Sequence, residues 1–181
     1  MAEKVRMYSF KPFGPFELPI EEDAVIAREQ LKEFWALVDE SCHGLSEALG
    51  CYVFAIRSEG TTLPWYVGKT EMRSFRFEAV QSHKLLHYES ALRLRRRGTP
   101  LLYLLSRMTD GGKFRKVWKD GSSSVGRLEG LIIATALTRN PELLNKRMMK
   151  HLTQTQVPGY MNEPPGPRSS EAKALGALLG T

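Results

Sequence analysis

The chain has 181 residues, 42% of them hydrophobic and 25% charged, enough for one well-cored domain with room for an appendage. Its formal charge of +6, from 26 Lys and Arg against 20 Asp and Glu, suits a polyanionic partner such as nucleic acid and equally an ordinary solvated basic surface. The longest apolar run, Gly130 to Leu137, falls far short of the roughly 20 residues a spanning helix needs, so no membrane partner is expected.

The opening MAEKVRMYSFKPFGPF lacks the continuous apolar core and small-residue cleavage site of a secretory signal, which predicts a cytoplasmic protein. Cys42 and Cys51 stand nine residues apart with no second pair and no His/Cys ligand spacing; they read as reduced core thiols rather than a zinc site or a disulfide.

In chain order, the Pro-, Gly- and Phe-rich FKPFGPFELP predicts an extended arm pinned by aromatics. Glu21, Glu22 and Asp23 favour a helix start, and Val25, Leu31, Phe34, Trp35 and Val38 recur at helical spacing until His43-Gly44. Cys51–Ile56 and Trp65–Val67 flank a polar turn at Ser58–Thr62 and predict an antiparallel hairpin broken at Gly68. From Met72 to Arg97 the apolar positions do not keep one phase, so two tandem helices are predicted, with Ser82 as an internal cap. Pro100–Ser106, PLLYLLS, reads as a buried third strand, and TDGGKFRKVWKDGSSS as a basic loop. Val125–Thr138 predicts a helix stopped by Asn140-Pro141, and after VPGYMNEPPGPRSS a short helix capped by Ser170 ends at Gly180. The order predicts a small α/β (α+β) domain on a three-stranded, mainly antiparallel sheet flanked by helices. Its expected parts are an arm and helix over 1–47, a core over 48–147 and a Pro/Gly-rich extension over 148–181.

Glu129 breaks a rule. It falls on the same helical sector as Ile132, Ile133, Ala136 and Leu137, and a carboxylate aimed toward a core costs free energy unless it is paired, hydrogen-bonded or bound to a cation. A place in the helix's first turn, where the dipole favours negative charge, is the plainer alternative. Arg76, eight residues beyond Gly68, can present a planar cationic fork to a phosphate from just inside the helix after the hairpin. His83 and His87 share its face if that helix is continuous. Arg93, Arg95, Arg96 and Arg97, with Lys113, Arg115, Lys116 and Lys119 around Trp118, offer cations that could grip phosphates while an aromatic stacks on a base.

Taken in order, Gly50-Cys51-Tyr52, Tyr66-Val67-Gly68-Lys69, Arg76, Glu129 and Asn145 resemble the GIY-YIG nuclease superfamily over roughly residues 48–147. The resemblance implies a mixed sheet with flanking helices and a metal-dependent endonuclease hydrolysing phosphodiester bonds of DNA. It implies that Glu129 binds one divalent cation, magnesium or another such as manganese, which keeps several waters and leaves room for phosphate oxygens. Tyr52 would activate the attacking water and Tyr66 position the nucleophile or phosphate. Lys69 and Arg76 would supply the positive field that a phenol needs to act as a base at neutral pH. Arg76 would also neutralise charge in the transition state, Asn145 would hold the geometry by hydrogen bonding, and Gly68 would spare the substrate backbone a clash. Cys51 stands where an apolar residue is usual. Val80 stands four residues after the arginine, where many members carry tyrosine or histidine, leaving His83 or His87 as substitutes for a phosphate ligand. That departure keeps open a nucleic-acid-binding module of the same fold with weak or no catalysis. Monomer and dimer both remain open; a two-strand cut from one small site needs a dimer or successive nicks.

Overall fold

The computed structural model describes residues 7–95, 98–116, 123–145, 156–159 and 164–179. Its centre is the hairpin of β4 (Gly50–Ser58) and β5 (Thr61–Thr70), named in sequence after three N-terminal strands: β1 (Phe10–Glu17), β2 (Ile20–Glu21) and β3 (Val25–Ile26). The two residues joining β4 to β5, Glu59 (φ 52°) and Gly60 (φ 77°), are both left-handed, the conformation whose twist suits a tight hairpin. Register pairs Tyr52 with Gly68 and Cys51 with Lys69, and one extra residue, Trp65, bulges opposite Phe54 and Ala55. Gly68 therefore does not end the strand: it is paired, and β5 continues to Thr70.

After the hairpin come α1's later companions: α1 itself is Leu31–Ser41, followed past the hairpin by α2 (Phe75–Glu78) and α3 (Ser82–Leu94). The split into two helices matches expectation, but the extended residue before α3 is Gln81, so Ser82 is already helical rather than the cap. Tyr88 donates its hydroxyl to Ala79 O at 2.9 Å and so ties α3 to the end of α2. β6 (Thr99–Arg107) and α4 (Ser123–Arg139) complete the larger unit.

The sheet has four strands in the order β1-β6-β4-β5, and each of these pairings is antiparallel. The expected three-stranded sheet is thus corrected by β1, and the implied mixed sheet by an antiparallel one. FKPFGPFE was read as an arm because of Pro12 and Pro15, yet β1 lies at the sheet edge, where a residue without an N–H is tolerated. Its register shifts between Phe13 and Phe16, both half-buried against the core. A second correction lies at Glu21–Asp23, which leads only into a single distorted 3-10 turn, Glu22–Ala24, and not into α1. Asp23 and Ala24 are left-handed (φ 59° and 61°) and turn the chain between β2 and β3, so α1 begins only at Leu31.

The pleat sends alternate residues of β4 to opposite faces. Tyr52, Phe54 and Ile56 pack with Leu102 and Leu104 against Phe34, Trp35 and Val38 of α1 and Leu85, Tyr88 and Leu92 of α3. Phe54 and Tyr88 stack with centroids 4.1 Å apart, an arrangement worth about 0.5–1.5 kcal/mol beyond the area it buries. On the other face Cys51 meets Val125, Leu128 and Ile132 of α4, and its thiol donates to Val125 O at 3.4 Å. Cys51 is buried and Cys42 half-buried, and both are free thiols.

The chain divides into two compact units, Met1–Leu144 and Asn145–Thr181. In the second, α5 (Ser170–Leu179) is capped by Ser169, whose Oγ accepts from Ala172 N at 3.2 Å; Ser170, the expected cap, is the first helical residue. Gly180 lies outside the described residues. Among the described residues no helix is long and apolar enough to cross a membrane.

Candidate functional site

Gly68 organises the candidate site. A Cβ there would lie 2.3 Å from Tyr52 Cζ and 2.4 Å from the Tyr52 hydroxyl oxygen, so the glycine admits the ring of its cross-strand partner onto the β5 backbone. The neighbour within the chain that requires glycine is thus the Tyr52 ring. Gly50 answers to a similar constraint, since a Cβ there would lie 2.0 Å from Leu105 O of β6.

Tyr52 is fully buried, and its hydroxyl has no hydrogen-bond partner among the described residues. Burial pushes its phenol well above the ordinary 10.0, and the neighbouring Tyr88, Tyr66, Glu78 and Glu129 push the same way. The expected role of Tyr52 as a base under a positive field is not what this geometry supplies. Tyr66, half-buried, stacks with Tyr52 (centroids 6.3 Å, 25°) and with His87 (5.6 Å, 14°), and meets Tyr88 edge-on at 5.9 Å. Its hydroxyl accepts a hydrogen bond from Lys84 Nζ at 2.9 Å.

On the α4 side Lys69 Nζ lies 3.2 Å from Glu71 Oε2 and 3.8 Å from Glu129 Oε2. Gly126, one turn before Glu129, lets β5 come close: a Cβ there would stand 3.1 Å from Lys69 Nζ and 3.6 Å from Glu71 Oε1. Glu129 is not in the core; its side chain is 23% exposed. Desolvation raises its carboxyl above the ordinary 4.5, Lys69 and then Lys84 pull it back, and Glu71 raises it again. Glu129 accepts no hydrogen bond from the described residues. Lys69 thus stands between two carboxylates of the kind that could hold a divalent cation, which takes few protein oxygens and keeps its waters. Glu129, with Glu71 beside it, would hold such an ion. Among the described residues no three His, Cys, Asp or Glu side chains gather into a metal cage.

The other expected residues divide. Lys69 and His87 join the cluster, whereas His83 is exposed on α3. Arg76 does not join it: its guanidinium pairs with Glu47 at 2.8 Å, lies over the Phe77 ring at 5.4 Å, and is not among the charges bearing on Cys51, Tyr52 or Glu129. Asn145 is the first residue of the second unit. Arg93, Lys113 and Lys116 are exposed, Arg115 is half-buried and Arg95 lies over the Trp65 ring at 5.7 Å; Arg96, Arg97, Trp118 and Lys119 fall outside the described residues.

Sequence reasoning missed Lys84, Glu71 and Asn140. Lys84, 12% exposed, sits over both tyrosine rings, 5.9 Å from the Tyr52 centroid and 5.1 Å from that of Tyr66. A lysine at the third position of an amphipathic helix carries no local mark of such a place; the signal was only that it follows Val80 by one turn. Asn140, read as a helix stop, is buried and donates Nδ2 to Pro64 O at 2.8 Å, bracing α4 against β5. Compared with family models, curated proteins and solved structures, the chain matches none.

Proposed function

We propose that the protein is a metal-dependent phosphodiesterase acting on DNA, of the GIY-YIG kind that its motifs resemble. One observation carries the reading: Lys69 meets Glu71 and Glu129 on one face of β5 while Lys84 meets Tyr66 on the other, and Lys84 is near enough to pull on the Glu129 carboxyl. Residues from separate segments of sequence thereby act on one another, with cations for phosphate oxygens and a carboxylate, Glu129, that a divalent ion could take from Lys69. A divalent cation bound there would polarise the scissile phosphate and stabilise the leaving oxygen. The chain's own part is to seat that ion through Glu129, to neutralise phosphate charge through Lys69 and Lys84, and to orient water through the tyrosine wall.

The test is plasmid cleavage in magnesium or manganese by wild type, Glu129→Ala and Glu129→Gln. Wild type should nick or cut, and both variants should lose about a hundredfold or more of the rate, the loss expected when charge stabilisation by an ion is removed. A wild type that stays inert with either ion on linear, supercoiled and branched DNA, or an equally active Glu129→Ala, overturns the reading.

The engagement of Arg76 by Glu47, together with Val80, favours a second reading, a nucleic-acid-binding module with little turnover. It predicts salt-sensitive DNA binding that survives Glu129→Ala unchanged.

A further inference from the structure

We propose that Lys84 is the positioning residue of this site, and that through it Tyr66, rather than Tyr52, is the tyrosine that meets the substrate phosphodiester. The inference rests on the reading of the site as one for nucleic acid, but not on its catalysing cleavage.

A lysine ammonium has three donors and no acceptor, so the 2.9 Å contact with Tyr66 must run from Nζ to the phenol oxygen. The Tyr66 proton then cannot point at Lys84; it is turned elsewhere, leaving an O–H donor with a fixed direction. Lys84 keeps two further N–H donors: Glu78 Oε1 stands at 3.8 Å, beyond hydrogen-bond range, and Glu129 acts on it only through its field. One O–H and one ammonium held together form a donor pair suited to the two non-bridging oxygens of a phosphodiester.

The Tyr66 ring is stacked with Tyr52 and His87 and met edge-on by Tyr88, so its hydroxyl is held by packing on several sides. Tyr66 is half-buried, whereas Tyr52 is fully buried with its hydroxyl unpartnered among the described residues. Lys84 follows Val80 by one helical turn, across the break between α2 and α3, and so delivers from α3 a cation that position 80 does not.

The experiment measures affinity for a short duplex oligonucleotide with EDTA present, so that no cleavage intervenes, for wild type, Lys84→Met, Lys84→Arg, Tyr66→Phe, Tyr52→Phe and Lys84→Met/Tyr66→Phe. Lys84→Met and Tyr66→Phe should each weaken binding about tenfold, and the double variant should fall clearly short of the combined hundredfold, because Lys84 both meets the phosphate and holds Tyr66 in place. Lys84→Arg should restore most of the affinity, and Tyr52→Phe should weaken it less than Tyr66→Phe does. Thermal melts of each variant separate loss of fold from loss of contact. Undiminished binding by Lys84→Met, strictly additive losses, or a wild type without affinity overturns the proposal. Coupled losses in a protein that never cleaves would overturn the nuclease reading while leaving this one standing.

Discussion

Tyr52 carries a hydroxyl that the fold buries without a partner, and such a group costs about 1–3 kcal/mol of desolvation. Tyr52→Phe should therefore leave the protein as stable or raise its stability by about 1 kcal/mol, measured by urea unfolding with an unchanged m-value. A clear loss of stability would mean that the hydroxyl has a partner after all. Glu129 makes a different prediction, through pH. Its folded-state carboxyl is raised above the ordinary 4.5, so the native state holds its proton to higher pH than the unfolded chain does. Stability is then lost as pH rises through the window between the ordinary and the raised value, and the loss is complete above it. Glu129→Gln should be more stable than wild type at neutral pH, and the gap should close as pH falls below 4.5. Melting curves across that range check the sign; a gap that widens in acid would reverse the assignment.

At the scale of elements, the hairpin was legible because β-branched and aromatic residues around a Gly-containing turn carry their own signal, and β6 because PLLYLLS is a short, bounded apolar run. Helix α4 was legible from its apolar spacing, and Glu129 stood out against it. Strand β1 was not, since two prolines look the same in an arm and in an edge strand until the partner strand is known. Nor was the fate of the charges: Arg76 finds Glu47, 29 residues upstream, and Lys84 finds Tyr66 across a helix–sheet contact. Periodicity reports which face a residue takes, not which charge it meets there. Asn140 shows how far one such contact reaches, for its bond to Pro64 O joins the last turn of α4 to the bulged stretch of β5. Asn140→Ala should cost about 1–3 kcal/mol and lower Tm by several degrees, because it leaves a carbonyl without its donor and frees the helix that carries Glu129.

For the larger unit as a whole, Cys51 reports integrity. It lies between β4 and α4 with no exposed surface, and burial, with Glu129 adding to it, pushes its thiol up to about 12. At pH 8 only about one thiol in ten thousand would be ionised even where reagent could reach it. Native protein treated with iodoacetamide should be alkylated at Cys42, with Cys51 spared until denaturant lifts α4 from the sheet; mass spectrometry of the peptides reads both. Modification of Cys51 in native buffer at the rate of Cys42 would show that α4 opens readily.

The tight turn at Glu59-Gly60 has a practical consequence. Eight residue steps along the strand run from Gly60 to Gly68, about 26 Å at the rise of an extended chain. The hairpin thus keeps its loop tip at one end and its chemistry at the other. A fluorophore, an affinity handle or a surface tether attached at the tip would leave the Gly68 end facing outward, giving single-molecule work on this protein a fixed point of attachment that does not compete with what the site binds.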